Sequence, residues 1–240
     1  MWSICKKEIN QFFSSLTGYI AVTLFLLING VFLFLLQDSN IFDFGYATLD
    51  QFFELAPWVF LFLVPAVAMR SFSDEFSNGT FEILITKPLS AIQIVLGKYF
   101  SVLLVVTIAI VPTLLYVNTI KTLSATGIID NGGIAGSYIG LFFLSSVFAA
   151  ISICCSCFTS NAIVSFLLSA FMCLILYFGC NAISSISAFS GNVGYYIEML
   201  GIDFHYQSIS RGVIDTRDIF YFLSVIFISL FITQKKLKKK

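Results

Sequence analysis

Three features of the sequence predict an all-α, polytopic membrane protein. The chain is 58% hydrophobic and only 11% charged, with a mean hydropathy of +0.96, whereas a soluble domain carries roughly 25% charged residues. Its apolar residues gather in six runs on the scale of one bilayer crossing, about 20 residues. The zero net charge conceals an asymmetry. Five lysines (Lys235, Lys236, Lys238, Lys239 and Lys240) crowd the carboxyl terminus, and residues 131–197 contain no charged side chain. So long an uncharged stretch has room for two crossings.

At the amino terminus Trp2, Cys5, Ile9, Phe12 and Leu16 recur at spacings of three and four, opposite Lys6, Lys7, Glu8, Asn10, Gln11 and Ser14. The pattern predicts an amphipathic helix lying along the membrane interface. The first span, 18–36, is too long for a signal-peptide core and no Ala-x-Ala site follows, so it reads as retained. The loop before the second span carries Asp38, Asp43, Asp50 and Glu54 and no basic residue. Span two, 53–69, has Pro57 in its first turn and Pro65 inside, where a kink is expected. Arg70 marks its exit to water.

Span three, 99–117, contains Pro112, a second expected kink, and a Gly- and Thr-rich loop runs from 118 to 136. Spans four and five, 137–158 and 162–180, are joined only by Thr159, Ser160 and Asn161, which forces an antiparallel pair. Residues 181–218 mix Gly, Tyr and polar residues, as a structured interfacial loop with short or re-entrant helices would. His205, the only histidine, reads as surface decoration. Span six, 219–233, is short for a bilayer. Asp215 and Asp218 have capping spacing at its start, and the terminal lysines can snorkel at its end. The 240 residues form one transmembrane domain on this reading.

Lys and Arg counts set the orientation. With six spans, one side receives Lys6, Lys7, Arg70, Lys87, Lys98 and the five terminal lysines, ten in all, and the other Lys121, Arg211 and Arg217. Both termini and residues 70–98 are therefore expected on the cytoplasmic side.

The 70–98 stretch is the polar centre of the chain. Ser71–Asp74 resembles a helix start and Asn78-Gly79 a turn. Thr80 is placed to cap a short helix whose first turn holds Glu82. Lys87-Pro88 breaks that helix, and Ser90 with Gln93 forms a capping box that opens the third span. The expected order is helix, tight turn, short helix, proline break, helix.

Arg70, Asp74-Glu75, Gly79-Thr80, Glu82-x-Leu84, Pro88 and Gly97-Lys98 resemble the membrane-proximal motif of ABC-2-type transporter permeases. Lys7-Glu8, Phe12-Phe13, Gly18-Tyr19, Phe44–Ala47, Ala56–Leu63, Met69–Phe72, Pro112-Thr113 and Gly136–Phe143 are similar to the gliding-motility-associated permease subunit of that family. The resemblance implies a cytoplasmic coupling helix between the second and third spans, docking on a separate ATPase. Arg70, Glu75, Gly79, Thr80, Glu82, Pro88 and Lys98 are the coupling residues it implies. It also implies a second copy or related permease as partner, an accessory motility subunit, and residence in a bacterial inner membrane. Phe76 departs from the pattern, which usually has Lys or Arg there.

No Gly-x-x-x-x-Gly-Lys-Ser/Thr occurs, since Gly97-Lys98-Tyr99 lacks the first glycine and the hydroxyl. A pump built on this chain must borrow its ATPase, and no directly bound cofactor is expected. Cys154, Cys155 and Cys157, in a span without histidine partners, read as packing residues rather than metal ligands. No nucleophile with a base and no intramembrane carboxylate pair argues for an enzyme or an ion-coupled transporter. Asn29 and Ser165 read as glue between helices, and nothing points to nucleic acid.

Overall fold

The computed structural model describes residues 1–36, 48–124, 129–186 and 192–238. The Phe44–Ala47 motif, Asp38, Asp43, Lys239 and Lys240 lie outside the described residues. In order, the chain forms α1 (Trp2–Ser14), α2 (Leu16–Phe34), α3 (Asp50–Ala68), α4 (Arg70–Ser77) and α5 (Thr80–Ile85). Next come α6 (Ala91–Ile110), a 3-10 turn (Val111–Thr113), α7 (Leu114–Leu123), α8 (Asn131–Ser156) and α9 (Ala162–Leu174). A π-helical turn (Ile175–Gly179), α10 (Cys180–Ser184), α11 (Asn192–Glu198), α12 (Ile202–Ser210) and α13 (Thr216–Leu237) complete it.

Among the described residues, five helical stretches are long and apolar enough to cross a membrane: Asp50–Ser77, Ala91–Leu123, Asn131–Ser156, Ala162–Ser184 and Thr216–Leu237. The α1–α2 pair, bent by 74°, makes a sixth if counted as one span. All-helical, polytopic architecture is thus what the composition dictated.

Several boundaries move. Span two begins three residues earlier than expected and places Pro57 well inside α3, not in its first turn. It also does not stop at Arg70, because helix resumes as α4 immediately after Met69. The helix continues past Pro65, with Met69 N–H bonding back to the Pro65 carbonyl at 2.8 Å. Pro112 falls in the 3-10 turn, where a missing N–H is least disruptive. Span six runs 22 residues rather than 15, about 33 Å at 1.5 Å per residue. Asp215 caps it through Arg217 N–H at 3.0 Å, and Lys235 and Lys236 sit in its last turn, where the helix dipole favours cations.

The core is built around α8, which packs on α3, α13, α9, α12, α6 and α4. Small residues on α8 make this closeness feasible, as membrane helices without a hydrophobic driving force require. Gly136 faces the Gly212 backbone, where an added Cβ would stand 2.8 Å from the Gly212 Cα, and Gly212 itself has φ +82°. Asn161 caps α9 through Ile163 N–H and Val164 N–H. The helix then folds back on α8, with Ser169 Oγ donating to the Ser152 carbonyl at 3.4 Å. Asn29 is not glue between helices. Its amide donates to Phe25 within α2.

Gly136→Ala should therefore destabilise the purified protein by about 1–3 kcal/mol, the overpacking range. Gly132→Ala, whose Cβ would meet only Asp130 Oδ1 at 3.4 Å, should be neutral. Thermal unfolding in one detergent compares the two.

Candidate functional site

The 70–98 stretch folds as a helical hairpin with one buried and one exposed end. Its root is made by a single hydroxyl. Ser156 Oγ, at the end of α8, accepts from Phe72 N–H (3.0 Å) and Ser73 N–H (3.3 Å) and donates to the Met69 carbonyl (3.2 Å). One proton and two lone pairs are all used. A side chain inserted into the i→i−4 ladder is a recognised cause of a helix break, and here it divides α3 from α4.

The hairpin turn follows the glycine. Asn78 N–H closes α4 on the Asp74 carbonyl at 2.9 Å, and Gly79 takes φ +68°, which a side chain would oppose. Gly79, not Thr80, is the N-cap of α5. Thr80 is its first residue and reaches back to the Glu75 carbonyl at 3.5 Å. The helix start expected at Ser71–Asp74 likewise lies at Arg70. Phe76 lies between Phe72 (6.0 Å, stacked) and Phe81 (4.9 Å, edge-on), so its ring helps hold α5 against α4. Past Pro88 the Ser90–Gln93 capping box forms in both directions, at 3.1 and 3.4 Å.

Lys98 lies at the centre of the buried end. Its side chain is 0% exposed, and Nζ stands 2.9 Å from Glu8 Oε1 and 2.9 Å from Glu75 Oε1. It also donates to the Ser71 carbonyl and sits 4.9 Å above the Phe72 ring. Three N–H donors thus meet three oxygens. Lys7, half exposed, completes the cluster at 3.3 Å from Glu75 and 3.9 Å from Glu8. Two cations and two carboxylates cancel, and α1, α4 and α6 are tied together. The approach of α1 depends on Gly97, where a Cβ would stand 3.0 Å from both Ile4 Cβ and the Met1 carbonyl.

The structure therefore divides the sequence-predicted residues. Glu75 and Lys98 are brought together and buried. Arg70 is exposed at the start of α4, and Gly79, Thr80, Glu82 and Pro88 are exposed further along the hairpin with Ile83. Glu8 was placed on the polar face of α1, and the structure corrects this. The inward face is Ile4, Cys5 and Glu8, while Trp2 and Leu16 of the expected apolar face are 69% and 75% exposed. Glu8 is four residues from both Ile4 and Phe12, which puts it on their face, but the cation that it meets there is 90 residues away.

At the other end of α3, Asp50, Glu54, Trp58, Phe178, Asp203 and Arg211 line part of a cleft of about 960 Å³. Tyr206 beside it donates to the Phe53 carbonyl at 2.7 Å, and burial pushes its phenol pKa up. His205 is not surface decoration. It is buried, with Nε2 2.9 Å from the Met199 carbonyl and Nδ1 2.7 Å from Asp218 Oδ1, and it stacks on Tyr221 at 3.9 Å. Asp218 thus joins α12 to α13 instead of capping the last helix.

The family model for ABC-2 family transporter proteins matches residues 2–209. No curated protein matches the chain. The chain belongs to the ABC-2 transporter family, as a multi-pass membrane permease subunit.

Lys98→Met would leave Glu8 and Glu75 with only the half-exposed Lys7 as a cation. Breaking a buried pair in this way costs roughly 3–5 kcal/mol. Adding Glu8→Gln and Glu75→Gln should restore much of the loss. Thermal unfolding of the single and triple variants checks both statements.

Proposed function

We propose that this ABC-2 permease subunit works in an exporter driven by a separate cytoplasmic ATPase, and that the 70–98 hairpin is the coupling element. The observation that carries the reading is the hairpin's construction. An exposed tip of Gly79, Thr80, Glu82 and Ile83 projects from a root fixed to α1 and α6 by Lys98 and to α8 by Ser156. Closure of two ATPase subunits, each bound to one of two paired permeases, would push on the tip. The load would pass through α4 into α3 and through the capping box into α6. Pro65 and Pro112 are the points where these helices would yield, opening a path between the permeases.

The charge count supports the orientation. Lys6, Lys7, Arg70, Lys87 and Lys98 with the terminal lysines fall on the hairpin side, as the positive-inside rule requires of a bacterial inner-membrane protein with cytoplasmic termini. The resemblance of the motifs between Lys7 and Phe143 to the gliding-motility-associated permease supports a role in gliding motility, with the ATP-hydrolysing and accessory subunits supplied by partners. Loss of gliding in a deletion strain is the expected result, and unchanged gliding would transfer the reading to another ABC-2 cargo.

Gly79→Pro tests the coupling directly, because proline cannot adopt φ +68°. The variant should insert and fold, yet bind its ATPase about tenfold or more weakly, or fail to alter ATP hydrolysis. Co-purification in mild detergent and the ATPase rate of the complex report both. Wild-type behaviour of Gly79→Pro would remove the hairpin from the mechanism, and failure of any ATPase to co-purify with the wild type would favour a scaffold.

A further inference from the structure

A crevice of about 400 Å³ opens where α1 bends into α2, against the end of α3 and the start of α6. Its volume lies within the roughly 300–1,000 Å³ common for small-ligand sites. The polarity of its wall is graded. Its lining includes the polar Gln11, Ser14 and Arg70 and the apolar Ala66, Val102 and Val105, and the apolar three lie further along α3 and α6, away from Arg70 and Lys98. Arg70 and Ala66 are one helical turn apart, about 6 Å, so the gradient runs along α3 from its polar end toward the middle of the span.

Arg70 carries the charge of this site. Among the described residues its guanidinium makes no ion pair and no hydrogen bond, whereas Lys98 and Lys7 nearby are both paired. The remaining charge on the wall, Glu8, is already neutralised by Lys98 and Lys7. Asp74, one turn on along α4, is not among the residues lining the crevice, so the guanidinium is the unpaired charge on its wall, and its planar fork matches a phosphate oxygen pair. Trp2 and Tyr19, on either side of the bend, are 69% and 58% exposed. Exposed Trp and Tyr are enriched at the level of lipid headgroups.

We propose that this crevice is a bound-phospholipid site, with the phosphodiester on Arg70 and the start of one acyl chain along Ala66, Val102 and Val105. The occupant would wedge the α1–α2 elbow against α3. The inference rests on the chain crossing the bilayer and not on ATPase coupling or orientation, so the two can fail separately.

Native mass spectrometry of the purified full chain, reloaded with mixed phosphatidylglycerol and phosphatidylethanolamine, tests it. The wild type should retain lipid adducts and gain thermal stability on reloading. Arg70→Gln should bind roughly tenfold more weakly, Arg70→Lys should fall between, and Ala66→Trp should lose adducts by filling the apolar end with Arg70 intact. Arg217→Gln, at the far end of the bundle, should behave as wild type. Folded Arg70→Gln and Ala66→Trp proteins that retain lipid like the wild type would overturn the site, as would a wild type that neither retains lipid nor gains stability. If inorganic phosphate displaced the adducts and gave the same stabilisation, the site would be one for a soluble anion and the lipid assignment would fall. Should Arg70→Gln not fold, Ala66→Trp and Arg70→Lys decide alone.

Discussion

The arrangement of this end of the molecule depends on one ammonium group. A lysine cannot remain fully buried unless its charge is matched and its three protons are accepted. Lys98 meets that condition only where Glu8 of α1, Glu75 of α4 and the Ser71 carbonyl converge. The requirement fixes three helices at once, although they are separated by up to 90 residues in sequence. Gly97, one residue earlier, removes the side chain that would hold α1 away. The Gly-Lys pair thus has a physical content: one residue admits the helix, and the next binds its carboxylate.

A second constraint works with the first. Ser156 supplies the hydrogen bonds that α3 and α4 give up around Met69, so the change of helix is satisfied and not strained. It also ties the hairpin root to α8, the most deeply packed helix of the bundle. The root is therefore held from both sides, by charge at α1 and α6 and by a neutral hydroxyl at α8. The tip has no such partners among the described residues. Gly79, Thr80 and Glu82 are exposed at the turn that Gly79 makes between α4 and α5, while Phe81 is buried.

Much of this was legible in the sequence because it depends on local rules. Helical class and most span positions follow from hydropathy, and the Ser90–Gln93 box and the Asn78-Gly79 turn follow from side-chain chemistry within four residues. What was not legible depends on partners distant in the chain. Glu8 looked solvated because its cation is 90 residues away. His205 looked exposed because Asp218 and Tyr221 come to it from another helix. The continuation of α3 into α4 was hidden for a related reason. Arg70 suggests an exit to water, yet the ladder resumes because a serine on α8 bridges the break. Phe76 was obscure as an isolated departure from a basic residue, and became simple once Phe72 and Phe81 were seen on either side of it.

The contrast between root and tip bears on how such a hairpin could transmit force. A loop with charges at both ends would absorb a push by bending. Here α4 is eight residues long, about 12 Å of helix at 1.5 Å per residue, and its base cannot shift without separating Lys98 from a carboxylate or Ser156 from its backbone partners. Either separation would strand a polar group in an apolar setting, which is costlier than moving the attached helices as a unit. Under the proposed coupling role, displacement at Gly79 would therefore appear as motion of α3 and α6 and not as melting of the hairpin. The same reasoning gives α1 a mechanical part. Through Glu8 it shares the lysine on which the hairpin rests, so a change in how α1 sits at the interface would alter the footing of the coupling element itself.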